Sequence, residues 1–309
     1  MTHVTSLNGL ALHNSWVTIG TFDGVHKGHQ ALIHTLVEGA HRHNQPAVVV
    51  TFYPHPAVVL GKGPFPGYLT SPEERARYLS ELGVDWVITL TFDHAMSSLS
   101  AQDFMNQLAE HLGIRYLVIG YDFALGRGRE GNPERLQAIG QQLGYEVILA
   151  QPVQAREQPI SSSQIRQFIQ QGNLETANQW LGRLYAVEGI VVRGDGRGRV
   201  LGFPTANLSY WPEKLLPANG VYATWAWVGK ERLAAVTNLG VRPTFASPLH
   251  YRFLEAHLLD FEGDLYEQTL TLEFVARLRP EQRFSSLEDL KAQIQKDIRT
   301  AREILNHVP

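Results

Sequence analysis

The chain has 309 residues, more than one single-core domain usually holds, so two domains are expected. Its 44% hydrophobic and 18% charged residues belong to a folded globular protein and exclude a disordered chain. A net charge of -3 with no run of Lys or Arg excludes an extended footprint for nucleic acid or an acidic membrane, and the lack of cysteine excludes disulfides, thiolate metal sites and cysteine nucleophiles.

Residues Met1 to Asn14 lack the basic start and apolar run of a secretory signal. No stretch reaches the ~20 apolar residues of a membrane span, so a cytoplasmic protein is expected. Short apolar runs at Trp16 to Gly20, Val48 to Phe52, Trp86 to Leu90, Tyr116 to Ile119 and Val147 to Ala150 then alternate with helix-like segments, beginning with Gln30 to His43. This rhythm predicts βα units in a doubly wound parallel sheet, with ligands beyond the carboxyl ends of the strands. Helix starts are signalled by Ser71 with Pro72 and Glu74, Ser100 with Asp103, and Asn132 with Pro133. Past Gly182 come β-like segments at Ala186 to Val192, Val221 to Val228, Ala234 to Asn238, Tyr251 to Leu259 and Leu270 to Ala276, expected to form a small antiparallel barrel or sandwich. A last helix is expected to start at a capping box from Ser285 to Glu288 and to bury Leu287, Leu290, Ile294, Ile298 and Leu305. The expected domains are 1–182 and 183–309.

The first strand runs into Gly20-Thr21-Phe22-Asp23-Gly24-Val25-His26-Lys27-Gly28-His29, a glycine-rich turn leading into a helix. Glycines at 20, 24 and 28 let backbone approach an anion, and a helix N-terminus favours phosphate. His26 and His29 suit donation to oxygens on a transferring phosphorus. Two zinc ligands or surface histidines are the alternatives, though no third ligand at metal-site spacing is evident. In Ile160-Ser161-Ser162-Ser163-Gln164-Ile165-Arg166, serines at a helix start suit capping, and Arg166 suits a bidentate phosphate grip or an ordinary solvated position. Gly126-Arg127-Gly128-Arg129-Glu130-Gly131 matches the dinucleotide fingerprint, but Tyr121 to Leu125 separate it from its strand, so that reading is rejected in favour of a mobile Gly/Arg loop near a nucleotide.

The second half has no P-loop, so phosphate transfer there needs another cradle. Arg193-Gly194-Asp195-Gly196-Arg197-Gly198-Arg199, followed by Gly202, alternates glycines and cations and suits polyphosphate, or is a Gly-rich hairpin. Phe203-Pro204-Thr205-Ala206-Asn207 places two oxygen side chains two residues apart, or is a Pro-Thr turn with an Asn cap. In His250 to Asp260, strand alternation puts Glu255 with Tyr251, Phe253, His257 and Leu259 on one face. A carboxylate among apolar neighbours suits a general base, or is partly inserted into the barrel.

These motifs resemble a known family. His26-Lys27-Gly28-His29 is similar to the HxGH signature of nucleotidylyltransferases, and the Gly20 to Gly24 lead-in, Gly120-Tyr121-Asp122-Phe123 and the serine segment resemble the adenylyltransferase half of bacterial riboflavin kinase/FAD synthetases, with Ser163 where Thr is more usual. Phe203 to Asn207 resembles the PTAN signature of riboflavin kinases, and the strand around Glu255 resembles the one carrying their catalytic Glu. Further similarity lies at Asn219 to Tyr222, Asn238 to Phe245, and Leu278 to Pro280 with Phe284. The resemblance implies a Rossmann-like nucleotidylyltransferase domain followed by a Greek-key barrel with a C-terminal helix. It implies an enzyme that phosphorylates riboflavin to FMN and adenylylates FMN to FAD, with ATP and Mg²⁺ and without nucleic-acid or membrane partners. His26 and His29 would contact ATP phosphates, with Gly20, Phe22, Asp23, Gly24, Gly28, Ser161, Ser162, Ser163 and Arg166 binding ATP or its phosphates in the first half and Gly194, Gly196, Arg197, Gly198 and Gly202 in the second; Asp122, Phe123 and Arg127 would contact the ligand, Thr205 and Asn207 Mg²⁺, and Glu255 would be the base. Another nucleotidylyltransferase with an accessory barrel, or a flavin carrier without catalysis, are the competing readings. The oligomeric state is left open.

Overall fold

The computed structural model describes residues 1–308 except 62, 152–153, 156–157, 195 and 242–251, and no side chains at 154, 155, 158, 197 and 199. The chain divides into two compact units, residues 1–162 and 163–309. Asp195, Arg242 to Phe245, His250 and Tyr251, and the side chains of Arg197 and Arg199, lie outside the described residues.

In the first unit, β1 (Thr2–Val4), β2 (Ser15–Ile19), β3 (Ala47–Tyr53), β4 (Trp86–Thr91), β5 (Ile114–Gly120) and β6 (Glu146–Ala150) form one parallel sheet in the order β1-β4-β3-β2-β5-β6. The helices between them are α1 (Lys27–Arg42), α2 (Pro56–Val59), α3 (Pro72–Glu81), α4 (His94–Ser98), α5 (Ala101–Leu112) and α6 (Pro133–Leu143). The near-continuous apolar runs reflect burial on both faces. Val17, Ile19, Val50, Leu117 and Ile119 pack with Leu108 of α5 and Leu136 of α6, whereas Trp16, Val49, Val87 and Val118 pack with Leu36 of α1 and Leu79 of α3. Strand order reverses between β2 and β5, which opens a crevice at their carboxyl ends. The expected starts of α3, α5 and α6 hold: Ser71 and Glu74 make a reciprocal capping box, Ser100 accepts from the Asp103 amide, and Asn132 from that of Arg135. α1 begins three residues before the expected Gln30 because His26 caps it through its ring, accepting from the His29 amide. β1 was not anticipated, since three residues are too few for a period.

A short hairpin, β7 (Gln154–Ala155) with β8 (Gln158–Pro159), ends the first unit. The second starts with α7 (Ser162–Gln171) and α8 (Leu174–Leu181), then β9 (Tyr185–Val192), α9 (Arg197–Leu201), β10 (Ala206–Tyr210), β11 (Gly220–Val228), β12 (Glu231–Val241), β13 (Arg252–Leu258), β14 (Thr269–Arg279) and α10 (Leu287–Leu305). The strands close as β10-β13-β12-β11-β14-β9, so the barrel is realised rather than the sandwich. β11, β12 and β13 are antiparallel neighbours in chain order, and β13 closes back beside β10, the Greek-key strand order. β10 was missed because its polar Asn207, Ser209 and Tyr210 hide the alternation. Leu239, Leu254, Ala256, Leu272 and Phe274 fill the interior. Outside, Ala301 and Leu305 of α10 pack with Val221, Ala223 and Val236. Two expectations for α10 are corrected. Its cap is Ser286, accepting from the Asp289 amide, and Leu287 is 61% exposed because it precedes the half of the helix that packs on the barrel.

Candidate active sites

The first candidate site lies at the sheet's crevice. A cavity of about 550 Å³ opens beyond the carboxyl ends of β2, β3 and β5, with Gly20, Phe22, His29, Asp122 and Phe123 among its lining. Phe52 contributes a wall with Phe92 and Phe104, whose rings both contact it. A flat aromatic ligand matches such a wall, while the helix N-terminus beside His29 suits an anion.

The turn at 20–29 departs from ordinary backbone. Phe22 and Val25 have φ of 46° and 40°, which costs side-chain-bearing residues of order 1–3 kcal/mol each. A Cβ on Gly20 would sit 3.0 Å from the Phe22 ring, and one on Gly28 3.2 Å from that of His26. His26 and His29 stack at 3.6 Å between ring centroids, 16° from parallel, and Phe22 meets His29 edge-on. His26 is buried, whereas His29 faces the cavity. Because His26 Nδ1 accepts from the His29 amide at 3.3 Å, its proton sits on Nε2 in the neutral ring.

Other expected site residues are distributed as follows. The Asp23 carboxylate is fully buried, accepting from the amides of Leu69 and Thr70 and from the Thr70 hydroxyl. Gly24, at φ 85°, donates to Thr70 Oγ1. Ser162 Oγ donates to the Asp23 carbonyl at 2.8 Å, bringing the serine segment to the turn. Ser161 is half-buried and Ser163 exposed, and Arg166, one turn into α7, is buried rather than solvated.

The 121–131 segment is held by backbone hydrogen bonds and close packing. Leu125 and Gly131 exchange backbone hydrogen bonds, Glu130 accepts from the Ala101 amide, and the Arg127 amide donates to Leu99. Gly126 and Gly131 press on Ala101 so closely that a Cβ would approach it within 2.7 and 2.8 Å. Arg129, not Arg127, lines the cavity, at φ 62° and donating to the Asp122 carbonyl. Sequence reading also missed Phe52, Phe92 and Phe104, which look like core residues until the strand ends are placed.

The second candidate site lies on the outer face of the barrel. Register puts Asn207 opposite Glu255, Glu255 opposite Asn238, and Asn238 opposite Val221, so three polar side chains form one row across adjacent strands. Glu255 lies on the outer face, not inserted into the barrel, because the interior takes Leu254, Ala256 and Leu258. Glu255, Asn238 and His257 line a cavity of about 310 Å³ whose far wall is Leu290 and Ile294 of α10. Arg279 and Phe284 border it, with the guanidinium 5.7 Å from the ring centroid and paired to the buried Asp297 at 2.8 Å.

A smaller cavity of about 80 Å³, lined by Phe261, Asp264 and Tyr266, lies beside it, and Thr205 lines both. The glycines of 194–202 act here by close approach. A Cβ on Gly194 would fall 2.2 Å from Asn207 Nδ2, and one on Gly198 2.4 Å from the Phe203 carbonyl and 3.1 Å from Thr205 Oγ1. Gly196 and Gly202 are exposed and take φ of 69° and 90°. His257 Nδ1 donates to the Pro204 carbonyl at 2.7 Å and so stitches the Glu255 strand to the Thr205 turn. Two neutral oxygens two residues apart, with a phosphate supplying more, suit a hard cation such as Mg²⁺. Among the described residues no cluster of three or more His, Cys, Asp or Glu is arranged to hold a metal by itself.

The first site suits nucleotidylyl transfer and the second phosphoryl transfer. The family model described as FAD synthetase matches residues 10–164, and that described as riboflavin kinase matches 181–305. The bifunctional riboflavin kinase/FMN adenylyltransferase of Escherichia coli (strain K12) is 41% identical over 289 residues, 93% of this chain and 91% of that one. The proteins of that description from Pseudomonas fluorescens and Bacillus subtilis (strain 168) are 39% and 35% identical, covering 93% and 92% of this chain and 92% and 90% of theirs. The chain belongs to the bifunctional riboflavin kinase/FMN adenylyltransferase family, with the FAD synthetase part first and the riboflavin kinase part second. A solved chain described as a macrolide-efflux protein from Streptococcus pneumoniae matches at a TM-score of 0.88 and 31% identity, over 97% of this chain and 98% of that one. That description names a transport activity. Among the described residues here, no helix is long and apolar enough to cross a membrane.

Proposed function

We propose that this chain works in the cytoplasm and makes FAD in two ATP-dependent steps, phosphorylating riboflavin in the barrel cavity and adenylylating FMN in the crevice of the parallel sheet. The observation that carries the first step is the position of Thr205 between two cavities, one roomy enough for a flavin and beside Glu255, the other small and bordered by Tyr266. A γ-phosphate lying at Thr205 would face the alcohol.

Riboflavin offers a hydroxyl, so a base is needed. Glu255 takes the proton of the terminal ribityl hydroxyl as its oxygen bonds to the γ-phosphorus, and ADP leaves. Thr205 and Asn207 would hold Mg²⁺ with the ATP phosphates, the ion supplying charge neutralisation there, and the backbone around Gly194, Gly196, Gly198 and Gly202 wraps the polyphosphate with N–H groups. In the crevice the nucleophile is the FMN phosphate, already an anion at neutral pH, so no base is required. Its oxygen bonds to the α-phosphorus, and the bond to pyrophosphate breaks. His29, with His26 stacked beneath it, donates to the charge that develops on the phosphate oxygens. The ring wall of Phe52, Phe92, Phe104 and Phe123 takes the flavin, and Asp122 and Arg129 border it.

The test is a chromatographic time course of flavins with riboflavin, ATP and Mg²⁺. FMN followed by FAD is expected for the natural chain. Glu255→Ala should stop the first step and spare adenylylation of supplied FMN, while His29→Ala should accumulate FMN. Riboflavin left untouched by the natural chain while supplied FMN is consumed would remove the kinase assignment, and retained flavin with no turnover would favour a carrier.

A further inference from the structure

Asp23 of the turn at 20–29 and Arg75 beneath it form a pair of charges that no step of the proposed chemistry uses. Asp23 is fully buried and Arg75, on α3, is 1% exposed. Arg75 Nη2 lies 3.9 Å from Asp23 Oδ1, while its Nη1 donates to Thr51 Oγ1 at 2.9 Å and to the Phe52 carbonyl at 3.1 Å. Each charge is tied to the turn's backbone through a threonine. Thr51 Oγ1 accepts from Arg75 and donates to the Thr21 carbonyl at 2.9 Å. Thr70 Oγ1 donates to Asp23 at 3.0 Å and accepts from the Gly24 amide at 3.1 Å. Residues 21, 23 and 24 are thus tied to the network, and they bracket Phe22, whose unfavourable φ turns its ring toward the cavity and against His29.

Burying two charges is expensive, and an apolar pair of the same volume would stabilise a fold as well or better. Directional polar ties do something an apolar pair does not, which is to hold one backbone geometry against strain. We propose that Asp23 and Arg75 are a positioning pair, acting through Thr70 and Thr51 to keep the adenylyl-transfer turn in its strained shape without touching substrate. The inference rests on the adenylylation reading for its functional part. Asp23, expected from the motif to bind phosphate, would then act from beneath.

The experiment uses the full chain with Thr70→Val, which cuts the tie to Gly24 without exposing a charge, and the double variant Asp23→Asn with Arg75→Met, which removes both charges at once. Three quantities are read on each: kcat and KM for FMN to FAD, riboflavin phosphorylation by the same molecules, and hydrogen exchange of residues 20–29. The expected result is a kcat for adenylylation lowered on the order of 10-fold or more, as for other small misplacements of reacting groups. Riboflavin phosphorylation should be unchanged, and exchange should be faster at 20–29. Should the double variant fail to fold, Thr70→Val carries the test alone. Natural turnover with natural exchange in Thr70→Val would overturn the proposal, as would equal losses in both activities. A natural chain that leaves FMN unreacted would sink the adenylylation reading instead, and the exchange data would still decide whether the network shapes the turn.

Discussion

At the scale of single residues, both sites depend on what is missing as much as on what is present. Gly194 and Gly198 leave room that the Asn207 side chain and the Phe203 carbonyl occupy, at distances no Cβ tolerates. Gly194→Ala should therefore displace the Asn207 amide from the row it shares with Glu255. The expected outcome is loss of riboflavin phosphorylation by ~100-fold, a misplacement of order 1 Å being enough, with FMN adenylylation intact. Paired activity assays on one preparation would show it, and equal loss of both activities would point to misfolding. Gly196→Ala provides the contrast. Among the described residues nothing lies within 4 Å of its added Cβ, so only the cost of its positive φ is incurred.

At the scale of elements, α10 has two unlike halves. From Ile298 onward it packs on the barrel, while Leu290 and Ile294 wall the cavity beside Glu255 and Leu287 stands in solvent. Leu305→Ala should cost ~2–5 kcal/mol, whereas Leu287→Ala should stay within about 0.5 kcal/mol, as measured by urea unfolding. The end of β13 is tied to the same helix by Asp260 and Arg302, at 2.7 and 2.8 Å. The hydrogen bonds from Arg302 hold the Asp260 carboxyl below its ordinary value of 3.8. A folded-state value below the unfolded one means that this tie contributes in full above that pH and is lost as the pH falls through the folded-state value. The melting-temperature gap between the natural chain and Asp260→Asn should accordingly be present at neutral pH and close in acid. Both partners are largely exposed, so the gap should be small.

At the scale of the whole molecule, two compact units carry two chemistries that share ATP. The described residues hold no metal cluster of their own, and Thr205 and Asn207, the proposed holders of Mg²⁺, are too few to retain an ion without phosphate. Metal should thus arrive with the nucleotide. EDTA should stop phosphorylation of riboflavin, excess Mg²⁺ should restore it without refolding, and elemental analysis of the purified chain should find well under one Mg²⁺ per molecule. A tightly retained ion would count against this donor set.

Periods and motifs are legible in the chain alone. Strands buried on both faces read as unbroken apolar runs, Ser71, Ser100 and Asn132 announced their helices, and the glycine turn and the Pro204 to Asn207 segment stood out because few backbones need those residues together. These are local properties, set within a few residues of chain. What tertiary structure decided is what depends on distance across the fold: that Phe52, Phe92 and Phe104 are a cavity wall, that Arg129 and not Arg127 reaches it, and that Asp23 turns inward toward Arg75. Register decided the rest. Asn207, Glu255 and Asn238 are 48 and 17 residues apart in the chain and adjacent only because β10, β13 and β12 pair as they do, a consequence of barrel closure that no single strand's pattern contains.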